Sequence, residues 1–170
     1  SQTKSIKFWS GYINPSTNPY NSQMTLNSNV LGTSQASATS VSLQFDAQGQ
    51  SSISVNYPDA GQVQLDARYD GTGDESGLVM TGSDQFVSRP LGLCVQPETT
   101  CSAGNVSCPY FKRAGEAFTL TLSGRAWEKD ADTDLCSGNI TTPNFALAAI
   151  PLGSTLVAPA SGVRSEEHTS

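Results

Sequence analysis

The chain is poor in charge, in histidine and in long apolar runs. Asp, Glu, Lys and Arg make up only 14% of its 170 residues, and an excess of acids gives a net charge of −6. Nucleic acids and anionic membrane surfaces attract basic proteins, so this balance argues against both as partners. No apolar run approaches the ~20 residues of a membrane-spanning helix. Residues 1–10 also lack the apolar stretch of a signal peptide, so we expect an internal fragment without membrane insertion.

Recognisable catalytic chemistry is also missing. The single histidine, His168, lies in the segment 164–170, which reads RSEEHTS and resembles the translation of a common sequencing adapter. We predict that this segment is an artefact, which would leave the natural chain without histidine. A Ser-His-Asp or Cys-His pair is then impossible, and the G-x-S-x-G, P-loop and H-E-x-x-H motifs are absent. The expectation is a protein that is not an enzyme.

The sequence does contain a strict alternation of apolar and polar residues. It extends over three runs, Val41–Phe45, Ile53–Tyr57 and Val63–Tyr69. A period of two gives each strand one buried and one solvated face, as in an antiparallel sheet. Turns that contain glycine, Asp46–Gly49 and Pro58–Gly61, join the runs. This pattern predicts three consecutive strands around which the fold is organised.

Further strands are expected on both sides of this block. No stretch has the apolar spacing and caps of a helix, so the predicted fold class is all-β. Loops are expected at Asn14–Asn21 and Asp70–Gly77. The other predicted strands are Ser5–Ile13, short strands within Met24–Leu31, Leu78–Met80, Gln85–Val87, Leu91–Val95, Ala117–Leu122, Arg125–Trp127, Phe145–Ile150 and Thr155–Val157.

One turn resembles a corner of immunoglobulin domains. Asp59, Gly61, Val63 and Leu65 have the spacing of the D-x-G-x-Y-x-C motif, with Val63 in place of tyrosine and Leu65 in place of cysteine. The tyrosine hydrogen bond and the inter-sheet disulfide of that motif are therefore absent. Apolar burial, worth about 1.5–3 kcal/mol for each fully buried side chain, is the expected substitute. We predict immunoglobulin-like antiparallel β-sandwich domains, one nearly complete and one partial.

The cysteines suggest where these domains divide. All four follow Arg89-Pro90, so we predict a first domain over 1–88 and a second, truncated β-domain over 89–163. The cysteine spacings do not fit a zinc site, and disulfides in an oxidising compartment are favoured over metal ligation or free thiols. Three pairings are open. We favour Cys101–Cys108, which closes a short loop, and Cys94–Cys136, which ties the first strand to the loop after Trp127.

One acidic loop is a candidate calcium-binding site. Asp130, Asp132 and Asp134 form D-x-D-x-D, and alternate carboxylates can converge on one Ca²⁺. Leu135 and Thr141 occupy the positions where an EF-hand requires Gly and Glu, so this is not an EF-hand. A solvated turn is the alternative to a calcium site. A weaker candidate comprises Asp70, Asp74 and Glu75. No other cofactor is expected.

Four aromatic residues could serve as a platform on which a sugar stacks. Trp9, Tyr12 and Tyr20 lie in or near predicted loops, and Trp127 follows a predicted strand. Ordinary core or edge packing is the alternative for each of them. A carbohydrate-binding module is therefore a second hypothesis for the function.

Longer segments resemble a known family. They include FWSGYINP, SVNYPDAGQVQLDARYDGTGDESGLVMTGSDQFVSRPLGLCV, CPYFKRAGEAFTLTLSGRAWE and DTDLCSGNITTPNFALAAIPLGSTLVAP. Together they resemble the C-terminal region of the MshQ family of MSHA biogenesis proteins, over about Phe8 to Pro159. These are large bacterial surface proteins associated with the mannose-sensitive haemagglutinin type IV pilus. No catalytic or ligand residues follow from the resemblance, because that region of the family is itself of unknown function.

The resemblance implies a location and a class of function. The location is extracellular or in the cell envelope, and the function is a non-enzymatic structural role in pilus biogenesis or adhesion. Expected partners are pilus or other surface proteins, with glycans as the partners of the carbohydrate-binding alternative. The accessory domain of a secreted enzyme is a third hypothesis.

Overall fold

The structure is a computed structural model that describes residues 2–98 and 115–149. Those residues contain strands and three short 3₁₀ helices but no α-helix, so the all-β prediction is confirmed. Within the same two ranges, no helix has the length and apolar character needed to cross a membrane. The strands are β1 (Gln2–Asn14), β2 (Thr25–Leu26), β3 (Asn29–Val30), β4 (Thr39–Phe45), β5 (Val55–Asn56), β6 (Gly61–Asp70), β7 (Val79–Ser88), β8 (Gly92–Pro97) and β9 (Leu120–Arg125), and the 3₁₀ helices are Gln35–Ser37, Gly73–Glu75 and Pro143–Ala146.

The first seven strands form a sandwich of two unequal sheets. The larger sheet has the order β4-β1-β6-β7, and the smaller one has the order β3-β2-β5. All pairings within them are antiparallel. The core receives residues from both layers, namely Phe8, Val41, Leu43 and Val63 from the larger sheet and Met24, Leu26, Leu31 and Tyr57 from the smaller sheet and its flanking residues. The predicted antiparallel β-sandwich is therefore confirmed.

The first strand, β1, occupies the centre of the larger sheet. It pairs with β4 on one side and with β6 on the other. Its alternation directs Ile6, Phe8 and Ser10 towards the core, and Phe8 and Ser10 are buried. The buried Ser10 hydroxyl donates to the Gly32 carbonyl at 3.5 Å, and the Ser10 backbone N–H donates to the same carbonyl at 2.9 Å. This strand is longer than the predicted Ser5–Ile13, since both of its neighbours extend the pairing.

The three alternating runs contain the consecutive strands β4, β5 and β6, as predicted, but these strands do not lie side by side in one sheet. The strands β4 and β6 flank β1 and do not pair with each other, while β5 crosses to the smaller sheet and pairs with β2. Alternation specifies which face of a strand is buried but not which strand lies beside it. The turn after β4 does close, since Asp46 Oδ1 accepts from Gln48 N–H at 2.9 Å and from Gln50 N–H at 2.8 Å. Four residues of irregular chain, 51–54, then lead to the other sheet.

Three other strand predictions need correction. The predicted strands Leu78–Met80 and Gln85–Val87 are replaced by one continuous strand, β7, which begins at Val79. The polar residues between them also pair with β6, since the register over its ten residues is unbroken. Ala117–Leu122 and Arg125–Trp127 are replaced by the single strand β9. Phe145–Ile150 contributes instead to the 3₁₀ helix Pro143–Ala146, because Pro143 presets a helical φ at its first turn. Thr155–Val157 lies outside the described residues.

The remaining strands form a two-stranded sheet that a disulfide anchors. The pair β8-β9 follows Arg89-Pro90, and Cys94 of β8 is bonded to Cys136 across 42 residues of sequence. This is the pairing that we favoured from the sequence for these two cysteines. The predicted partners Cys101 and Cys108 lie outside the described residues, as does the segment 164–170.

The smaller sheet contributes many core residues for its size. Shortening one of its buried side chains should therefore lower the stability of the fold. We expect Leu26→Ala to lower the free energy of unfolding by about 2–5 kcal/mol, because Leu26 is fully buried. Leu78→Ala is the matched control, since Leu78 is 43% exposed and should change stability by less than about 1 kcal/mol. Chemical denaturation of both variants measures the difference. Equal losses would contradict the position of β2 in the core.

Candidate functional site

The candidate site is a junction where the second half of the chain inserts a residue into the sandwich. It is built on Asp59, which is only 2% exposed, in the turn between β5 and β6. Gly61 permits this turn: its φ is +146°, and a Cβ there would lie 2.7 Å from the Asn14 carbonyl oxygen. The immunoglobulin-like spacing thus correctly identified a structural corner. Val63 is fully buried in the position where that motif has tyrosine.

The Asp59 carboxylate accepts hydrogen bonds from three segments. Oδ1 accepts from its neighbour Ala60 N–H at 2.7 Å and from Asn144 N–H at 3.0 Å. Oδ2 accepts from the Ser22 hydroxyl. The donors belong to the turn itself, to the loop after β1 and to the 3₁₀ helix Pro143–Ala146. One buried side chain therefore joins the segments around positions 22, 59 and 144, and Asn144 lies 85 residues from Asp59 in the sequence.

The Asn144 side chain extends the same network. It is fully buried, and its Nδ2 donates to Tyr57 Oη at 3.1 Å and to Asn18 Oδ1 at 3.2 Å. In turn, Asn18 Nδ2 donates to Tyr12 Oη at 3.0 Å. The Tyr12 hydroxyl donates to the Ser22 backbone carbonyl. Because buried polar groups are costly unless they are bonded, this chain of contacts selects one arrangement of the two halves.

Two tyrosine rings complete the junction. The rings of Tyr12 and Tyr57 lie 5.8 Å apart between centroids and are tilted by 52°. Burial raises the pKa of Tyr57 from 10.0 to about 12, and it also raises the pKa of Tyr12. Both hydroxyls are therefore neutral at physiological pH, so each can act as a hydrogen-bond donor. The backbone hydrogen bond that the immunoglobulin motif assigns to its corner tyrosine is absent at Val63, and Tyr12 makes a comparable one.

A cleft opens beside this junction. Its volume is about 240 Å³, and residues from both halves of the chain line it. Trp127 at its edge is 61% exposed, and its indole N–H donates to Asp130 Oδ1 at 3.1 Å. The other lining residues are Asn56, Tyr57, Pro58, Asp59, Ser88, Arg89, Ala126, Ile140 and Thr142.

The other aromatic candidates do not form a platform with one another. Trp9 and Tyr12 differ by an odd number of positions along β1, so their side chains leave opposite faces of the sheet. Tyr12 is committed to the buried junction. Tyr20 is exposed in the loop after β1. Of the four predicted aromatic residues, Trp127 is exposed and lines the cleft beside the junction.

The structure does not gather the predicted calcium ligands. Asp132 Oδ1 accepts from Asp134 N–H, and Asp134 Oδ1 accepts from Cys136 N–H, both at 3.1 Å. Asp130 is bonded to the Trp127 indole. Across residues 2–98 and 115–149, no three His, Cys, Asp or Glu side chains are arranged to hold a metal ion. In this turn, Asp132 and Asp134 accept from backbone amides and Asp130 accepts from an indole N–H.

The second acidic candidate is occupied by ion pairs. Lys7 Nζ lies 3.0 Å from Asp70 Oδ2, and the hydrogen bonds from Lys7 and then Arg68 lower the pKa of Asp70. Lys4 Nζ lies 2.6 Å from Glu75 Oε2, and the hydrogen bonds from Lys4 and Tyr69 lower the pKa of Glu75. The Asp70 and Glu75 carboxylates thus have cationic partners on β1, so they connect the end of β6 and the loop after it to the central strand of the larger sheet.

Comparisons with known proteins agree with this architecture. Residues 1–83 match the model of a domain of unknown function (DUF6701), first Ig-like domain, and residues 89–169 match the model of the DUF6701 second domain. The two matches cover nearly the whole chain, so it belongs to the DUF6701 family, and the immunoglobulin-like prediction is confirmed. The second match includes most of the segment 164–170. Neither a curated protein nor a solved structure matches the chain.

Asn144 is the residue of the junction whose contacts sequence reasoning did not predict. It directly precedes the predicted strand Phe145–Ile150, and its partners come from positions 18, 57 and 59. One local signal was present: Thr142-Pro143 places a proline where a short helix begins. That signal could have located the 3₁₀ helix, although not its contacts.

Removing the Asp59 carboxylate should loosen the junction. We expect Asp59→Ala to lower the free energy of unfolding by about 2–4 kcal/mol, because the Ala60 and Asn144 amides would be left buried without an acceptor. Asp46→Ala is the matched control, since Asp46 also accepts two backbone N–H bonds, but within one exposed turn. Amide hydrogen exchange at Asn144 should accelerate in the first variant only. Unchanged exchange at Asn144 in Asp59→Ala would refute the contact.

The raised pKa of Tyr57 should be visible at high pH. In an alkaline absorbance titration, we expect one tyrosine to ionise at about 12 in the wild type, and this step to be absent from Tyr57→Phe. Because the folded-state pKa lies above the ordinary 10.0, the stability that Tyr57 contributes is complete below pH 10 and is lost as the pH rises towards about 12. A wild-type titration complete near pH 10 would contradict the burial of this ring.

Proposed function

We propose that the chain is a non-enzymatic structural module of a bacterial surface protein that takes part in biogenesis of, or adhesion by, the mannose-sensitive haemagglutinin pilus. The location that we propose is extracellular or in the cell envelope. Support comes from the family resemblance in the sequence, from the DUF6701 membership and from the Cys94–Cys136 disulfide, which suits an oxidising compartment.

The junction is the observation that carries this proposal. A flexible tether between two domains would need no buried polar contact, whereas Asn144 is fully buried against the sandwich and bonded to Asp59, Tyr57 and Asn18. Such contacts are costly unless they are all formed together, so they hold the two halves in one relation. A module of this kind acts as a stiff spacer, which presents a distal binding part or contacts pilus subunits.

The test uses the intact surface protein in cells that assemble the pilus. We expect the tagged wild-type protein to co-purify with pilin from the cell surface. Asp59→Ala should reduce this association, because it loosens the junction, and Asp46→Ala should leave it unchanged. Failure of the intact protein to associate with pilin or with the cell surface would reject the proposal.

Carbohydrate binding is the second candidate, and the position of Trp127 favours it. An exposed indole at the edge of a cleft that also contains amide, hydroxyl and guanidinium groups is suited to stacking on a sugar ring. A glycan array with the full chain tests this function. Binding that Trp127→Ala abolishes and Trp9→Ala preserves would support it. An array without hits, or binding that is insensitive to Trp127→Ala, would reject it.

A further inference from the structure

The edge strand β7 is long, regular and open along one side. It pairs with β6 over ten positions without a bulge, from Gly61↔Ser88 to Asp70↔Val79. Among the described residues, β6 is the one strand that pairs with it, so its other edge presents unpaired backbone N–H and C=O groups. Open edges of this length readily accept another strand.

Of the usual devices that prevent such pairing, the strand has only one, an inward-facing charge at Asp84. It contains no lysine, arginine or proline, and its one charged residue is Asp84. Four large apolar side chains on it are exposed: Val79 and Met80 by 51% and 53%, and Phe86 and Val87 by 37% and 40%. Natural proteins protect free edges with charges, prolines or bulges, so an edge with only this one device indicates a partner.

The order of residues in β7 identifies that partner. An antiparallel pair of two β7 strands around a two-fold axis at Ser83 places Met80 opposite Phe86 of the second copy and Val79 opposite Val87. The first pair lies on the inner face of the sheet and the second on the outer face, because the register to β6 gives Met80 and Phe86 the same side as the core residues Tyr69 and Val63. Apolar residues therefore meet apolar residues on both faces.

The polar positions match equally well. Thr81 lies opposite Gln85 of the second copy, and Gly82 lies opposite Asp84, so the single acidic residue faces a residue without a side chain. The two Asp84 carboxylates do not face each other. They are diagonal neighbours on one face, so their like charges repel only weakly. The strand is thus self-complementary in size and polarity, which an isologous two-fold interface requires.

An apolar groove next to β7 adds to the apolar surface that a second copy of the chain would contact. Its volume is about 290 Å³, and it lies on the inner face of the larger sheet between Ile6, Phe45, Ile53 and Met80. Phe86 of a second copy, opposite Met80, would extend the apolar surface at this side of the groove.

The other edge of the sheet is less suitable. β4 has only seven residues, and its inward side chains Val41 and Leu43 are already buried in their own sandwich. Pairing at β4 would therefore remove little further apolar surface from water.

We propose that β7 is a homodimerisation edge, at which a second copy of this chain pairs antiparallel around a two-fold axis at Ser83. The two four-stranded sheets then become one continuous sheet. This inference does not depend on the proposed role in pilus biogenesis. A dimer would also carry two copies of any binding site on the chain, which raises its avidity for a repetitive partner.

A cross-linking experiment tests the position of the axis. In Ser83→Cys, the two new thiols of a dimer lie directly opposite each other, so mild oxidation should yield a cross-linked dimer through residue 83. Ser42→Cys is the matched control, because Ser42 is an exposed serine in the middle of the other edge strand, β4. Peptide mapping identifies the bond. Cross-linking of Ser83→Cys no faster than that of Ser42→Cys would overturn the proposal.

A charge experiment tests the register. The wild-type full chain should show a concentration-dependent monomer–dimer equilibrium in sedimentation. Thr81→Lys combined with Gln85→Lys places lysine opposite lysine and should weaken dimerisation by roughly tenfold or more. The matching double glutamate variant should also be monomeric, and an equimolar mixture of the two variants should restore the dimer. Circular dichroism verifies that both variants fold.

Two other outcomes would overturn the proposal. One is a wild-type chain that stays monomeric at every concentration tested. The other is a dilute, monomeric chain whose β7 amides are all protected from hydrogen exchange, since another segment of the same chain would then occupy the edge.

Discussion

The acceptor capacity of one buried carboxylate is the constraint on which the arrangement of the chain depends. Asp59 has two oxygens, and three donors from separate segments use them. Each donor would be costly to bury without that acceptor. The turn before β6, the loop after β1 and the helix at Asn144 must therefore meet at one point. The sandwich supplies the carboxylate, and the second half of the chain supplies the residue that satisfies it.

The elements of the sandwich were largely predictable, but their pairing was not. Alternation is a local property, so it located β4 and β6 and the burial of residues such as Leu43 and Val63. It contains no information about neighbours. Nothing in Ile53–Tyr57 indicates that it pairs with Thr25–Leu26, since that pairing depends on a crossing between the sheets. The central position of β1 likewise became visible only from the registers on its two sides.

In the candidate site, too, the local features were predictable from the sequence and the long-range contacts were not. Asp59 was found because its role belongs to a corner with a recognisable spacing, and the glycine two residues later is part of that corner. The contacts of Asn144 were not predicted because they depend on residues 85 and more positions away. The D-x-D-x-D pattern predicted calcium because spacing alone cannot distinguish carboxylates that converge on a metal from carboxylates that each bond to a nearby donor. Here Asp132 and Asp134 each accept from an amide two residues further along the chain.

The unequal size of the two sheets links the junction to the open edge. Each strand of the smaller sheet has two residues, whereas β6 and β7 each have ten, so one layer cannot cover the other. Near β5, the 3₁₀ helix Pro143–Ala146 packs against the sandwich, and the hydrogen bonds of Asn144 make that contact specific. Over β7, the described part of the chain provides no such cover, and Met80 and Phe86 remain exposed. Exposed apolar groups on an unpaired strand favour association over solvation. The same shortage of covering strands therefore explains both why the sandwich binds the second half of its own chain and why β7 is suited to bind a second copy.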